Sequence, residues 1–152
     1  MSKINKFTQA AEKERELLSR FFESIGCTNY SFTEAEGFDR YDATFEFLDI
    51  KYLVEVKVRN VKSNQYPTTL IDKSKTDFLR EEALKEGYIP VLVIFFTDDK
   101  CFLCNLDKVR GKVERKYCNR TSAVNTGKKM KEVELFTITE KNLRDINVSK
   151  IV

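Results

Sequence analysis

Tyr41-Asp-Ala-Thr-Phe-Glu-Phe-Leu-Asp-Ile-Lys-Tyr-Leu-Val-Glu-Val-Lys-Val-Arg59 contains two β-rich runs, about 41–48 and 51–59, with a tight turn at Asp49-Ile50 between them. The pattern predicts a hairpin. Its second strand is mostly Val and Leu, yet it carries Glu55 and Lys57. Charges in such a strand cost several kcal/mol unless something compensates them, so they point to chemistry. With the turn centred at Asp49-Ile50, Asp42 lies opposite Lys57 and Thr44 opposite Glu55. Asp42 and Glu55 are then diagonal neighbours on one face, with Cα atoms roughly 5.5–8 Å apart. A register slip of one residue would place them on opposite faces.

Upstream, residues 5–25 predict a helix. Phe7, Ala10, Ala11, Leu17, Leu18, Phe21, Phe22 and Ile25 recur on one face, and Gly26 supplies a stop. Glu14 falls on that apolar stripe, where it is either a site carboxylate or half of a structural salt bridge. A short strand at 27–33 and a loop over 34–40 lead into the hairpin. Downstream, 60–69 reads as a polar, mobile loop and 71–86 as a helix ending at Gly87. The run Ile89-Pro-Val-Leu-Val-Ile-Phe-Phe96 reads as a strand covered on both faces. A turn at Asp98-Asp99-Lys100, a strand from Cys101 to Leu106 and a further strand at 132–138 complete the pattern. Helix, three strands, helix and two strands predict an α/β sandwich with a mixed sheet. We expect one domain over 1–152, with a core at about 6–106 and a basic extension at 107–152.

The bulk composition fits a globular chain: 152 residues, 41% hydrophobic and 34% charged. No apolar run approaches the roughly 18 residues of a membrane span. Met-Ser-Lys-Ile-Asn-Lys enters a charged helix without the apolar core of a signal peptide, so the expected location is cytoplasmic, with reduced cysteines. The formal net charge of +3 hides an asymmetry. Lys108, Arg110, Lys112, Arg115, Lys116, Arg120, Lys128, Lys129 and Lys131 face a single acid, Glu114, between positions 108 and 131. That segment is either a solvated loop or the footprint of a polyanionic partner. Cys101 and Cys104 lie three apart on an apparent strand and so face opposite sides; small buried thiols are expected there rather than a zinc site.

Asp42 and Glu55 on neighbouring strands offer hard oxygen donors, which suit Mg²⁺ or Mn²⁺. Lys57 shares the side of the strand with Glu55 and can hold a phosphate or lower the pKa of an attacking water. The chain has no histidine, so neither a histidine metal site nor a histidine base is available. The bland alternative is a buried Asp42–Lys57 or Glu55–Lys57 ion pair.

Asp42, twelve intervening residues, then Val54-Glu55-Val56-Lys57 resembles the PD-(D/E)XK phosphodiesterase motif. Ala11-Glu-Lys-Glu-Arg-Glu-Leu-Leu18, followed by Gly26 and a strand, resembles the first helix of archaeal Holliday-junction resolvases and related phage nucleases. The resemblance runs from about Lys6 to Leu106. It implies a restriction-endonuclease-like αβα sandwich with a central mixed sheet, Mg²⁺ dependence and cleavage of DNA. It makes Glu14, Asp42, Glu55 and Lys57 the catalytic set and assigns the metal to Asp42, Glu55, Val56 and Glu14. By analogy with resolvases that cut as dimers it also implies a homodimer. Tyr41 stands where the motif has its proline, which leaves Asp39 as a rival first carboxylate. Arg59, Lys62, Lys73, Lys75, Arg120, Lys128 and Lys129 are the expected DNA-backbone contacts, and Tyr66 a stacking platform or a plain surface tyrosine. The competing class is a nucleic-acid-binding or structural protein that does not cut.

Overall fold

The computed structural model describes residues 4–33, 41–119 and 128–146, with the side chains of 12–33, 41–116 and 130–146. Helix α1 spans Ile4–Ser24, and Leu17, Leu18, Phe21 and Phe22 on its inner face are all buried. Strands β1 (Asn29–Phe32), β2 (Ala43–Phe47) and β3 (Ile50–Val58) follow. Then come β4 (Thr68–Asp72), α2 (Lys73–Glu86), β5 (Ile89–Phe95) and β6 (Lys100–Asn105). The described chain ends with β7 (Lys112–Asn119), β8 (Lys128–Thr137), a 3₁₀ turn at Glu140–Asn142 and β9 (Leu143–Asp145). Gly26 and Gly87, the expected helix stops, adopt φ of +76° and +77°. No helix among the described residues is long and apolar enough to cross a membrane.

Six strands form the central sheet in the order β1-β2-β3-β5-β6-β9. β3 and β5 run parallel and the remaining pairs antiparallel, so the sheet is mixed. Strand alternation divides the core in two. Ala43, Phe45, Val54, Val56, Val93 and Phe95 pack with α1, whereas Leu53, Leu92, Ile94, Phe102 and Cys104 pack with Leu79 and Ala83 of α2. The apolar run of β5 thus feeds both faces, as its composition predicts. Cys101 lies in the first cluster and Cys104 in the second, on opposite faces.

The β2–β3 hairpin differs from the sequence reading in register. Its turn is Leu48-Asp49, both at positive φ (51° and 65°), and Phe47 pairs with Ile50. This is the backbone of a two-residue type I′ connection. Moving the turn by one position moves every partner by two. Asp42 therefore lies beside Glu55 rather than Lys57, and the parity that keeps them on one face survives.

β4, β7 and β9 were not anticipated, and β8, expected over 132–138, begins at Lys128. Residues 68–72, read partly as loop, form β4, and the basic segment forms a hairpin of β7 and β8. Together they make a second sheet in the order β4-β8-β7. β7 is an edge strand dense in Lys and Arg, a composition that also discourages further edge pairing.

A buried charge cluster fastens this second sheet to α2. Glu134 of β8 is only 2% exposed. Its Oε1 accepts from Thr76 Oγ1 at 2.6 Å and Arg80 Nη1 at 2.8 Å, and its Oε2 from Arg80 Nη2 and the Gly111 N–H, both at 2.6 Å. Arg80 also donates to the Leu106 and Val109 carbonyls. Burial alone would raise the Glu134 pKa, but these hydrogen bonds outweigh it and hold the carboxyl at about 2. Gly111 is required by close approach: a Cβ there would lie 2.3 Å from the Leu135 oxygen. Removing one partner strands a buried charge, so Arg80→Ala is expected to destabilise the protein by about 3–5 kcal/mol, read as a lower urea midpoint. Because the Glu134 pKa is depressed, its contribution is present above pH 4.5 and is lost as pH falls towards about 2.

Candidate active site

The hairpin builds the site. The Asp42 N–H donates to the Val54 carbonyl at 2.8 Å, extending the β2–β3 ladder by one residue. Its side chain turns back along the strand, and Oδ2 accepts from the Val56 N–H at 2.7 Å. Glu55 sits mid-strand on the α2 face and is 5% exposed. The Val56 side chain points to the opposite, α1-facing core, so only its main chain adjoins the carboxylates.

Two ammonium groups divide the oxygens of Glu55 between them. Lys57 Nζ lies 3.5 Å from Oε2 and Lys75 Nζ lies 3.3 Å from Oε1. The Lys57 side chain is 38% exposed, so the pair opens to solvent and is not sealed in the core. The α2 residue Lys75 shares a helical face with the buried Leu79, one turn on. That i,i+4 relation was legible in the sequence, which nevertheless suggested only a flanking contact.

Electrostatics mark the cluster. Glu55 is pushed up to about 7, first by burial, then by the charge of Asp42 and the hydrogen bond between the two carboxyl groups, while Lys75 and Lys57 pull it down. Glu14 on α1 is raised too, by burial and then by the charge of Asp42, and is lowered by Lys57. Glu14, Asp42, Glu55 and Lys57 thus belong to one electrostatic group. Among the described residues, however, no three His, Cys, Asp or Glu side chains are arranged to hold a metal ion together. The donor set is the Asp42–Glu55 pair. A buried carboxyl whose ionisation a second carboxylate opposes is a place where a hard cation can replace the proton, and Mg²⁺ is commonly held by one or two carboxylates with water completing its shell. The residues therefore fit such a cation.

The other expected residues scatter. Arg59 is turned inward: its Nη2 donates to the Leu70 carbonyl at 2.9 Å, and burial lowers its pKa. Lys62 is exposed. Lys73 pairs with Asp77 at 2.6 Å. Lys128 and Lys129 lie on β8, where only their backbone is described, and Arg120 and Asp39 fall outside the described residues. The loop after β3, expected to be mobile, is tied down. Ser63 Oγ donates to Asp98 at 2.6 Å, the Arg59 N–H to Phe95 O at 2.9 Å and the Thr97 N–H to Val61 O at 3.0 Å. Tyr66 stays 57% exposed on it. A groove of about 740 Å³ between the start of α2 and the β7–β8 hairpin is lined by Lys73, Arg115 and Lys131 together with Asp72, Asp77 and Glu132.

A mixed sheet with one helix on each face is the restriction-endonuclease-like αβα sandwich. Among solved structures, the chain is similar to Archaeoglobus fulgidus Hjc, a Holliday junction resolvase from an archaeal hyperthermophile. The TM-score is 0.52, with 14% identity over 81% of this chain and 86% of that one. At that identity the likeness shows the fold alone. No protein-family model matches the chain, and no curated protein matches it by sequence.

The raised Glu55 pKa has a measurable consequence without metal. The folded state holds this proton from the unfolded value of 4.5 up to about 7. Stability from this group is therefore full below pH 4.5, falls as pH rises to about 7 and is level above, a loss on the order of 3 kcal/mol. Urea titrations in EDTA across that range should show the slope, and Glu55→Gln should flatten it. The same slope in the variant would place its origin elsewhere.

Proposed function

We propose that the chain is a divalent-metal-dependent endonuclease that hydrolyses DNA phosphodiester bonds, with branched DNA the first substrate to try. The observation that carries this reading is the Asp42–Glu55 carboxylate pair beside Lys57 at an open edge of the site. The fold it shares with a Holliday junction resolvase supports the substrate class.

Asp42 and Glu55 would hold Mg²⁺ or Mn²⁺, with the Val56 main chain alongside and Glu14 contributing through its charge or a water. When bound, the cation would polarise the phosphate, acidify water and stabilise the leaving oxygen. Lys57, solvent-facing and fixed two residues from Glu55, orients the water and phosphate. With no histidine in the chain, the proton leaves through water or a carboxylate. Lys62, Lys73, Arg120, Lys128 and Lys129 would hold the backbone on either side of the cut without reading bases. Arg59 would act from behind, bracing the loop that presents Tyr66. A second copy of the chain, as in dimeric resolvases, would supply the second cut of a branched substrate.

The competing reading, binding without cutting, draws on the lack of a three-carboxylate set among the described residues and on the basic β7–β8 hairpin. Branched, single-stranded and duplex DNA incubated with Mg²⁺ or EDTA separates the two. We expect Mg²⁺-dependent cleavage that Glu55→Ala or Lys57→Ala reduces by at least about 100-fold, with unchanged circular dichroism. Full activity in either purified variant would exclude this mechanism, and binding without cleavage under every condition would favour the competitor.

A further inference from the structure

We propose that Lys75 is a second catalytic lysine, which contacts a non-bridging oxygen of the scissile phosphate from the α2 side of the site. The inference rests on the nuclease reading and extends it, because it takes this lysine from the flanking backbone to the reacting group.

Three observations carry it. The first is place: Lys75 Nζ reaches Glu55 Oε1 at 3.3 Å, opposite the oxygen that Lys57 approaches. The second is its place at the start of a helix, where a cation is not favoured. Lys73 and Lys75 stand in the first turn of α2, which holds no acidic residue. A cation there opposes the helix dipole, and a buried carboxylate with ammonium partners is often no more stable than an apolar replacement. The third is charge. With a cation bound and all three carboxyls ionised, Glu14, Asp42 and Glu55 would carry three negative charges against two ammonium groups. With Lys57 alone, a divalent cation would bring the site to neutrality. With Lys75 added, the loaded site has one excess positive charge, the complement of a phosphodiester. In the free protein Lys75 rests on Glu55; with that carboxylate taken up by a cation, the ammonium would be released to reach the phosphate.

The test compares Lys75→Met, which keeps length but loses charge, with Lys75→Arg and Lys75→Gln. Single-turnover cleavage at saturating Mg²⁺ should fall about 100-fold in the Met and Gln variants and recover to within about tenfold of wild type in the Arg variant. DNA affinity in Ca²⁺ should change only a few-fold. Mg²⁺ binding without DNA, followed by calorimetry, should tighten roughly tenfold in Lys75→Met, since the ammonium sharing Glu55 is gone. A wild-type rate in Lys75→Met, a loss repaired simply by more Mg²⁺, or failure of both neutral variants to fold would each overturn the proposal. If the wild-type chain cuts no DNA, the nuclease reading fails first. Calorimetry then still judges Lys75, and unchanged Mg²⁺ affinity in Lys75→Met would reject its competition for Glu55.

Discussion

Two carboxylates are forced together across one hairpin, and the remainder of the site is arranged around that repulsion. Asp42 and Glu55 are neighbours because β2 and β3 pair through the Leu48-Asp49 turn. That turn lacks the Asn-Gly or Asp-Gly pair that makes positive φ easy, so the register must be set elsewhere. The strands supply it: Phe45 stacks on Tyr52 at 4.7 Å, and the paired Ala43 and Val54 are both fully buried. Apolar burial on the α1 face thus holds acidic groups together on the α2 face. The strand accepts the cost because its other side is core.

The same economy governs α2. Leu79 and Ala83 pack it on the central sheet, Lys75 reaches Glu55, and Thr76 and Arg80 hold Glu134 of β8. One helix therefore touches the candidate site and anchors the basic hairpin. Glu55 and Glu134, both nearly inaccessible, have opposite fates. Glu134 receives four hydrogen bonds and ionises readily, whereas Glu55 faces another carboxylate and resists ionisation. A saturated acid of the first kind is a structural fastener. An acid that resists ionisation beside two ammonium groups is instead a candidate functional group.

Much of this was legible in the sequence where burial and periodicity agree. Leu17, Leu18, Phe21 and Phe22 announced α1, the 89–96 run announced a central strand, and Glu55 and Lys57 stood out as charges in an apolar strand. The Asp42–Glu55 convergence survived an incorrect turn position because a shift of two keeps side-chain parity. What escaped was non-local. β4 displays only Leu70 and Ile71 as apolar residues, and becomes a strand because β8 pairs with it. β7 is rich in lysine and arginine, shows no apolar alternation, and becomes a strand because β8 pairs with it. Arg80 and Glu134 are 54 positions apart, and nothing in either neighbourhood announces the other. Arg59 looked like a DNA contact by charge alone, while its carbonyl partner lies eleven residues downstream.

The link through α2 also bears on how a polyanion would meet the site. The basic hairpin is not an independent tail: β4 leads directly into α2 and pairs with β8, and α2 holds β8 through the Glu134 cluster. Glu134 on β8 is consequently joined to Glu55 through one helix. Surface charge alone would only concentrate DNA near the protein. Charge fixed to the helix that also bears Lys75 would position a strand relative to the carboxylates, and positioning is where phosphoryl chemistry draws much of its rate. A buried ion cluster that contributes nothing to catalysis directly would then matter to it by fixing that distance.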